Sequence, residues 1–600
     1  MSKRLIAIFG SAVILLAACG AQATPSPSAT ATATTPPTTP PSPTPTPGPE
    51  PPNLEGSNYK PEAVGNTGGT LVLAEWQTLT TLNAFYAQAF TDGEAATPSF
   101  LSLVDTSYDL KYVPEISSTV PLTTNGGVTV TGTKMDVTYK IFTGAKWSDG
   151  QPITCADLQA TVDWVMDTTQ TGLAGGIIGY EDIESVEDKG GGECVVHFGK
   201  FYAGYINLFA PLLPKHYIES IPVAEAHEKL YPLEDLASGV YSGPYIPSEY
   251  QSGAQLTYVK NPNYESWTGK TLAFDQVIFK YYPDNPDGMI AGFDLGEYDL
   301  GMNLNHSDIP KLQGKNRVIT EDTATYEQHS INNRTLAKKF GEADVVTIKQ
   351  ALALATDRAE ITQRALGGTV EPMGSSNISQ LYWYYKEEPP LEYDPDKAKA
   401  LLDGAGWTVG ADGIREKNGV KLELMYCTST RPYRIDSLGL VAAQLAKVGV
   451  KADVNIVPAQ PDLFGEWEAV ADDTPCNLIH GNYDVAQFAW VSPLDPTGSY
   501  NAYHSSGIPE DNEAHSGQNN TRTEIPELDV AWDEVLNNID LIKIREAMWV
   551  VQDIYASNVI EIPLFSWKNV YLVNPKLQNV VGNPTTATVV WNIEDFWLEP

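Results

Sequence analysis

Trp490 is the residue whose type and position best suit ligand binding. It ends the predicted strand 483–490 and precedes Ser492-Pro493-Leu494-Asp495-Pro496, a stiff turn that would present the indole to a ligand. A large flat aromatic ring provides stacking area for a sugar ring or a peptide side chain at a small entropic cost. The alternative is a tryptophan that only fills the core.

A second group of candidates combines aromatic rings with polar side chains. The run 382–385, Tyr-Trp-Tyr-Tyr, suits an oligosaccharide or a bulky apolar peptide, although it could equally pack beneath a loop. Arg431 and Arg434 flank Tyr433 and could bind a ligand carboxylate bidentately, although such arginines also pair with surface acids. The predicted ligand-binding residues are Trp490, Asp495, Tyr385, Tyr384, Trp383, Tyr433, Arg431, Asn83 and Trp76.

Motifs for catalysis are missing from the sequence. It contains no Gly-x-Ser-x-Gly elbow, no His-Glu-x-x-His and no P-loop. Pairs of carboxylates are common in so acidic a chain, so their presence does not indicate a glycoside hydrolase. No Cys-x-x-Cys occurs and the eight histidines do not cluster, so we expect neither a metal nor a cofactor. The sequence predicts a binding protein, with a secreted glycoside hydrolase as an alternative that turnover of a chromogenic glycoside would reveal.

The composition narrows the class of partner. The 600 residues include 38 Lys and Arg against 75 Asp and Glu, a formal net charge of −37. This excess argues against nucleic acid as a partner, because phosphate binding needs clustered basic residues, and against adhesion to anionic lipid by charge alone. With 42% hydrophobic residues, the chain can bury sizeable cores. We expect a monomer with a solubilising acidic surface.

The N-terminus indicates export. Lys3 and Arg4 precede the apolar stretch 5–18, which is too short to span a bilayer comfortably. Leu16-Ala17-Ala18-Cys19-Gly20 resembles the lipobox of bacterial lipoproteins, which implies a signal peptide over 1–18 and acylation of Cys19. Residues 19–60 are predicted to be that anchor and a disordered, Pro- and Thr-rich linker. A plain secretory signal with an incidental Cys19 is the alternative.

Residues 145–158 combine a tight turn with the start of a helix. Ser148-Asp149-Gly150 is turn chemistry, Thr154 occupies the N-cap position, and Asp157 stands where a capping box needs an acceptor. The whole stretch, Ala-Lys-Trp-Ser-Asp-Gly-Gln-Pro-Ile-Thr-Cys-Ala-Asp-Leu, resembles the signature of the extracellular solute-binding proteins of ABC importers. The family in question is family 5, which includes dipeptide- and oligopeptide-binding proteins.

Further landmarks extend the resemblance over roughly residues 69–600. They occur in the order in which the family carries them: Ser242-Gly243-Pro244-Tyr245, Asn261-Pro262-Asn263-Tyr264, Asp357-Arg358 and Asp495-Pro496. The resemblance implies an α/β, two-lobed periplasmic-binding-protein-like fold of type II, in the large cluster with an extra small domain and a hinged cleft. Lobe I would comprise 61–90, 205–322 and 565–600, the small domain 91–204, and lobe II 323–564.

Four further cysteines form an even set in an exported protein, where disulfides persist. We predict the pairs Cys155–Cys194 and Cys427–Cys476, because each pair falls within one predicted domain. Buried free thiols are the alternative.

The resemblance also implies a function. It is that of a lipid-anchored binding component, outside the cytoplasm on the outer face of the cell membrane. It would capture an oligopeptide-like solute by lobe closure and deliver it to ABC permease and ATPase subunits. An oligosaccharide-binding protein of the same fold and a ligand sensor for a signalling receptor remain alternatives.

One departure from the family pattern concerns the ligand. Many peptide-binding relatives carry an Asp three residues after the cleft Trp, where it holds the α-ammonium group of the peptide; this chain has Pro493 there. Asp495 could substitute only if the loop bends differently. A buried ammonium without a charge partner costs several kcal/mol. We therefore hypothesise that ordinary peptides with free amino termini are excluded.

Overall fold

The computed structural model describes most of the chain beyond the N-terminal segment. The predicted signal peptide, Cys19, most of the predicted linker and Trp76 lie outside the described residues. Those residues are 52–75, 77–87, 90–170, 173, 176–283, 285–315, 317–465, 467, 470–511, 515, 517–585 and 587–600.

The strands, numbered along the chain, are β1 Thr70–Glu75, β2 Val104–Thr106, β3 Tyr112–Pro114, β4 Val128–Thr131, β5 Lys134–Lys140, β6 Ile183–Gly190, β7 Glu193–Phe198, β8 Tyr245–Gln251, β9 Gln255–Lys260, β10 Gln276–Tyr281, β11 Leu300–Asn305, β12 Val318–Ile331, β13 Thr408–Val409, β14 Arg415–Lys417, β15 Val420–Lys421, β16 Glu423–Ser429, β17 Lys451–Val457, β18 Val485–Val491, β19 Glu561–Val573, β20 Leu577–Gln578 and β21 Trp597–Leu598.

The helices are α1 Phe90–Ala96, α2 Cys155–Val165, α3 Lys215–Ile218, α4 Ala226–Lys229, α5 Pro262–Thr268, α6 Pro286–Asp294, α7 Asn333–Phe340, α8 Glu342–Ala355, α9 Arg358–Ala365, α10 Pro395–Gly404, α11 Pro432–Ala446, α12 Tyr500–Tyr503, α13 Pro526–Leu536 and α14 Leu541–Asn558. Several begin at a side-chain cap: Asp357 accepts from the Glu360 N–H at 2.9 Å, and Asp394 accepts from the Lys397 N–H at 2.9 Å.

A mixed sheet organises the described part of the chain. Its strand order is β17-β16-β18-β12-β19-β11-β1-β10-β9-β8. Strands β12 and β19 are its two long members, with 14 and 13 residues, and they pair antiparallel at its centre. The strands of residues 70–305 lie on one side of this pair and those of residues 423–491 on the other. The central pair therefore joins two half-sheets.

The register of the central pair shifts where the half-sheets meet. Asp322 pairs with Lys568 and Tyr326 pairs with Ser566, so residues 323–325 face the single residue Trp567. Extra residues in one strand bend it and increase the local twist. The predicted lobe limits at 322 and 565 lie beside this segment, which the sequence had not identified as part of two continuous strands.

The small sheet β4-β5-β7-β6 carries the signature helix α2. The Thr154 N–H donates to the Asp157 carboxylate at 2.7 Å, as a capping box requires. Trp147 is fully buried at the turn. Cys155, the first residue of α2, lies 2.02 Å (Sγ–Sγ) from Cys194 of β7, so a disulfide ties the helix to the sheet.

The second disulfide and the cores complete the packing. Cys427 of β16 is joined to Cys476 at 2.07 Å, so the structure joins the same two pairs that the sequence predicts. One cluster of buried side chains includes Leu73 and Trp147 but also Tyr384 and Tyr555. Buried packing therefore runs across the predicted limit of lobe II, whereas a separate core lies between α8, α11 and the sheet.

Candidate ligand-binding site

Trp490 lines a narrow cavity of about 10 Å³, room for about one water molecule, on one face of the sheet. Cross-strand pairing explains the lining, because Tyr326 lies opposite Trp490 and Gln328 lies opposite Phe488, and opposed residues share a face. Helix α12 and residues 518–520 complete the walls. The lining residues are Gln328, Phe488, Trp490, Ala502, Tyr503, Gln518, Asn520 and Glu561.

The polar part of the cavity lining consists of amide, hydroxyl and carboxyl groups. Glu561, the first residue of β19, is 4% exposed, and its Oε2 accepts from the Tyr555 hydroxyl. Burial raises the pKa of Glu561 to about 8, while hydrogen bonds from Tyr555 and Gln328 act in the opposite direction. Gln328 is 1% exposed, and its Oε1 has no hydrogen-bond partner among the described residues. This carbonyl oxygen is available to a donor on a ligand.

The aromatic run 382–385 holds the loop that follows Trp490. The Tyr382 and Tyr384 hydroxyls donate to the carbonyl oxygens of Ser492 and Pro493, and the Trp383 indole donates to the Leu494 carbonyl at 3.3 Å. The predicted residues Trp383 and Tyr384 thus lie beside the loop of Trp490 and Asp495. Tyr384 is 1% exposed, and in the structure its ring supports the loop.

Tyr385 lies outside the cavity. Its carbonyl accepts from the Trp549 indole of α14 at 3.3 Å, and its partly exposed side chain is absent from the cavity lining. Of the predicted residues in this run, the structure brings two to the Trp490 loop and places the third against α14.

Asp495 uses both carboxylate oxygens within the protein. Oδ1 accepts from the Thr497 N–H at 3.0 Å and its hydroxyl at 2.8 Å, while Oδ2 accepts from the Asn207 amide at 3.2 Å. Burial raises the pKa of this carboxyl. Because Asn207 belongs to predicted lobe I, Asp495 joins the two predicted lobes. The segments around residues 204 and 497 also pack closely, because a Cβ on Gly204 would lie 2.9 Å from the Thr497 hydroxyl.

Tyr433 and Arg431 lie with the opposite face of the sheet. The Tyr433 hydroxyl donates to Glu327 at 3.2 Å, and Glu327 precedes Gln328, so the two side chains point to opposite faces. The Arg434 guanidinium donates to the Glu327 carboxylate at 2.7 and 3.1 Å. Arg431 lies 5.3 Å from the Trp567 ring centre. The structure thus separates both predicted residues from the cavity.

Glu327 is fully buried yet ionised. Burial alone would raise its pKa, but the charge of Arg434, with hydrogen bonds from Arg434, Trp567 and Gln487, holds the pKa below its ordinary value. His306 packs edge-on against Tyr433 at 5.1 Å, and burial lowers the pKa of this imidazole to about 3. This cluster is therefore the Glu327–Arg434 ion pair, surrounded by aromatic side chains.

Asn83, the remaining described candidate, is 2% exposed in the segment after β1, where its Oδ1 accepts from the Phe85 N–H at 3.1 Å. It is not in the cavity lining. The lining residues that sequence reasoning missed include Gln328, Tyr503 and Glu561. Glu561 left a readable signal, because it is a charge inside the apolar run 560–565.

Two half-sheets joined by long strands, with helices packed against them, define a two-lobed α/β protein. The chain belongs to the bacterial extracellular solute-binding proteins of family 5, since residues 120–510 match the family described as "Bacterial extracellular solute-binding proteins, family 5 Middle". The oligopeptide-binding protein AppA of Bacillus subtilis is 28% identical over 454 residues, which cover 74% of this chain and 77% of that protein.

Solved structures agree on the fold. The structure of AppA from Bacillus subtilis in complex with a nonapeptide has a TM-score of 0.71 at 24% identity, covering 90% of this chain and 100% of its own. NikZ from Campylobacter jejuni in complex with Ni(L-His) has a TM-score of 0.71 at 20% identity, covering 88% and 99%. The predicted family and the two-lobed α/β fold are confirmed.

Two further features concern membranes and metals. None of the helices among the described residues is both long and apolar enough to cross a membrane. No group of three or more His, Cys, Asp or Glu side chains in the same residues is placed to hold a metal ion.

Proposed function

We propose that the protein is the substrate-binding component of an ABC importer and captures an oligopeptide-like solute outside the cytoplasm. The observation that carries the proposal is the family match over residues 120–510, and the small cavity at Trp490, lined by Gln328 and Glu561, would take one group of such a solute. Ligand sites of this kind combine apolar contact area with a few placed polar groups. The peptide-binding relative AppA supports the choice of solute.

Lobe closure is the proposed mechanism, with no covalent step. The bulge at residues 323–325 lies where the half-sheets meet, and a bend there would change their angle without disturbing either sheet. The hydrogen bond between Asn207 and Asp495, which is formed in this structure, would break as the lobes open. The closed form would be recognised by permease and ATPase subunits, with ATP used by those partners. We propose acylation of Cys19 as the anchor and residues 19–60 as the tether.

Thermal-shift screening with peptide and oligosaccharide libraries, checked by native mass spectrometry, tests the proposal. We expect peptide-sized solutes to raise the melting temperature. Trp490→Ala is expected to weaken their binding at least about tenfold through lost stacking. Trp591→Ala is the matched control, because Trp591 is also partly exposed but does not line the cavity.

Three results would contradict the proposal in different ways. If only oligosaccharides bind, the fold assignment stands and the solute is an oligosaccharide instead of a peptide. Turnover of a chromogenic glycoside would make the protein an enzyme. Signalling that responds to the solute in the absence of uptake would make it a sensor, and neighbouring genes for permeases and ATPases would favour the importer instead.

A further inference from the structure

The carboxyl group of Glu561 has no cationic partner in the described part of the chain. The groups facing it are hydroxyls and an amide: Tyr555 of α14 and Gln328 of β12 bond to it, while Tyr503 of α12 and Tyr326 and Tyr483 lie within electrostatic range. No Lys, Arg or His of the described residues forms an ion pair with it or counters its raised pKa. A buried carboxyl with no cation remains protonated at neutral pH.

Gln328 provides an unused hydrogen-bond acceptor at this cavity. The Gln328 Oε1 is unpartnered although the side chain is 1% exposed. By contrast, the nearby carboxylate of Asp495 is already occupied by Thr497 and Asn207. Trp490 lines the same cavity with an aromatic ring, a group that attracts cations. A positively charged hydrogen-bond donor suits the Glu561 carboxyl, the Gln328 Oε1 and the Trp490 ring together.

We propose that the cavity at Trp490 binds an ammonium group of the solute, a group about the size of a water molecule, with Glu561 as its carboxylate partner and Gln328 Oε1 as a second acceptor. The proposal rests on the proposed function and names the class of solute: peptides that carry a positive charge. The formal net charge of −37 acts in the same direction, because it raises the local concentration of cations.

Binding of the cation is coupled to release of a proton. As the cation enters, the O–H bond of the Glu561 carboxyl breaks, the proton leaves to solvent, and the carboxylate pairs with the cation. Because the pKa of Glu561 is raised to about 8, this release occurs at neutral pH. The affinity then rises with pH, by about tenfold per unit, and levels off above the pKa.

Calorimetric titration of the full-length protein with four pentapeptides tests the proposal and separates the two sources of charge. Ala-Ala-Lys-Ala-Ala carries both cations, its N-acetyl form carries only the side-chain ammonium, and Ala-Ala-norleucine-Ala-Ala carries only the terminal one. N-acetyl-Ala-Ala-norleucine-Ala-Ala carries none. We expect the last to bind about 30-fold or more weakly than the best of the others, and whichever single-cation peptide binds tightly identifies the group that enters the cavity. Equal binding of all four overturns the proposal.

Glu561→Gln gives the decisive comparison because it preserves shape and removes the charge. We expect it to weaken the cationic peptides about 30-fold or more, to leave the uncharged peptide unchanged, and to abolish proton release measured in two buffers of different ionisation enthalpy. Gln328→Leu should weaken the same peptides by a smaller factor. Asp105→Asn is the matched control: burial raises the pKa of Asp105 to about 7, but this residue does not line the cavity.

Spermidine distinguishes failure of this inference from failure of the proposed function. If no peptide binds, the proposed function fails; spermidine that binds the wild-type protein but not Glu561→Gln still supports the cation site. If peptides bind and Glu561→Gln changes neither affinity nor proton release, the cation site is refuted while the proposed function stands. If neither peptides nor spermidine bind, both are refuted.

Discussion

Two buried glutamates on neighbouring strands of the same sheet differ in charge. Glu327 of β12 is fully buried and ion-paired with Arg434, and its pKa is held below the ordinary value. Glu561 of β19 is 4% exposed, meets hydroxyl and amide groups only, and burial raises its pKa to about 8. Burial alone therefore does not decide the charge of a carboxyl group; the partner that the fold supplies decides it.

The two carboxyl groups also differ in how many of their hydrogen-bonding positions the protein fills. Glu327 is saturated by Arg434, Tyr433, Trp567 and Gln487, so it has nothing left to offer. Glu561 borders a cavity and keeps acceptor capacity. One face of the sheet thus carries a buried ion pair, and the other carries a buried carboxyl group that lacks a cation among the described residues.

The largest expected effect comes from breaking the ion pair. Arg434→Met leaves the Glu327 carboxylate buried without a counter-charge, since their side chains are 6% and 0% exposed. We expect a loss of about 3–5 kcal/mol in the free energy of unfolding, measured by urea denaturation. The double variant Glu327→Gln/Arg434→Met is the control and should recover much of that loss. A single-variant loss below about 1 kcal/mol would contradict the assigned charges.

The second prediction concerns opposite pH dependences. The pKa of Glu561 is about 8 in the folded protein, against an ordinary value of 4.5. Its contribution to the free energy of unfolding is therefore fully present below the unfolded pKa and is lost as the pH rises to 8. In Glu561→Gln the free energy of unfolding should therefore fall less between about pH 5 and pH 8 than in the wild type, by on the order of 2 kcal/mol. Glu327, whose pKa is lowered, instead loses its contribution as pH falls.

Urea denaturation across that pH range, compared between wild type and variant, measures the effect. Asp396→Asn serves as the control, because its side chain is 90% exposed and the substitution should leave the slope unchanged. A Glu561→Gln curve parallel to the wild-type curve would mean that Glu561 is already ionised in the folded protein.

The smallest expected effect is a difference of about 1 kcal/mol between the losses caused by removing two single hydroxyls. Tyr433→Phe removes a donor to an ionised carboxylate at 3.2 Å, and Tyr555→Phe removes a donor to a neutral carboxyl. We expect losses of about 1.5–3 and about 0.5–1.5 kcal/mol in the free energy of unfolding, because bonds to charged groups are stronger. Equal losses, or the reverse order, would show that the two carboxyls do not differ in charge.

Local features of the fold were predictable from sequence. The turn at 148–150, the N-cap Thr154 with Asp157, and the join at Asp357 depend on hydrogen bonds between residues close in the chain. Strand β12 was not predicted, because its polar residues alternate weakly and its order depends on pairing with β18 and β19. That two long strands cross the predicted lobe limits was not predicted either, and the lobe limits themselves stay a prediction.

The candidate site was predictable only in part. Trp490 was identified from the turn after it, and Trp383 and Tyr384 do lie beside that turn, although as its supports. Tyr433 and Arg431 lie with the opposite face, which depends on the register of β12 against β18. Side chains alternate along a strand, so a shift of one residue would exchange Glu327 and Gln328 between the faces.

The sequence by itself determined the family, the turn and cap of the signature helix, and an acidic chain with four cysteines in two workable pairs, because these follow from neighbouring residues or from an ordered series of motifs. Only the tertiary structure decided which glutamate meets an arginine and which meets a cavity. The physical reason is that a carboxyl group's charge is set by solvent and partners, and those are brought to it from distant parts of the chain.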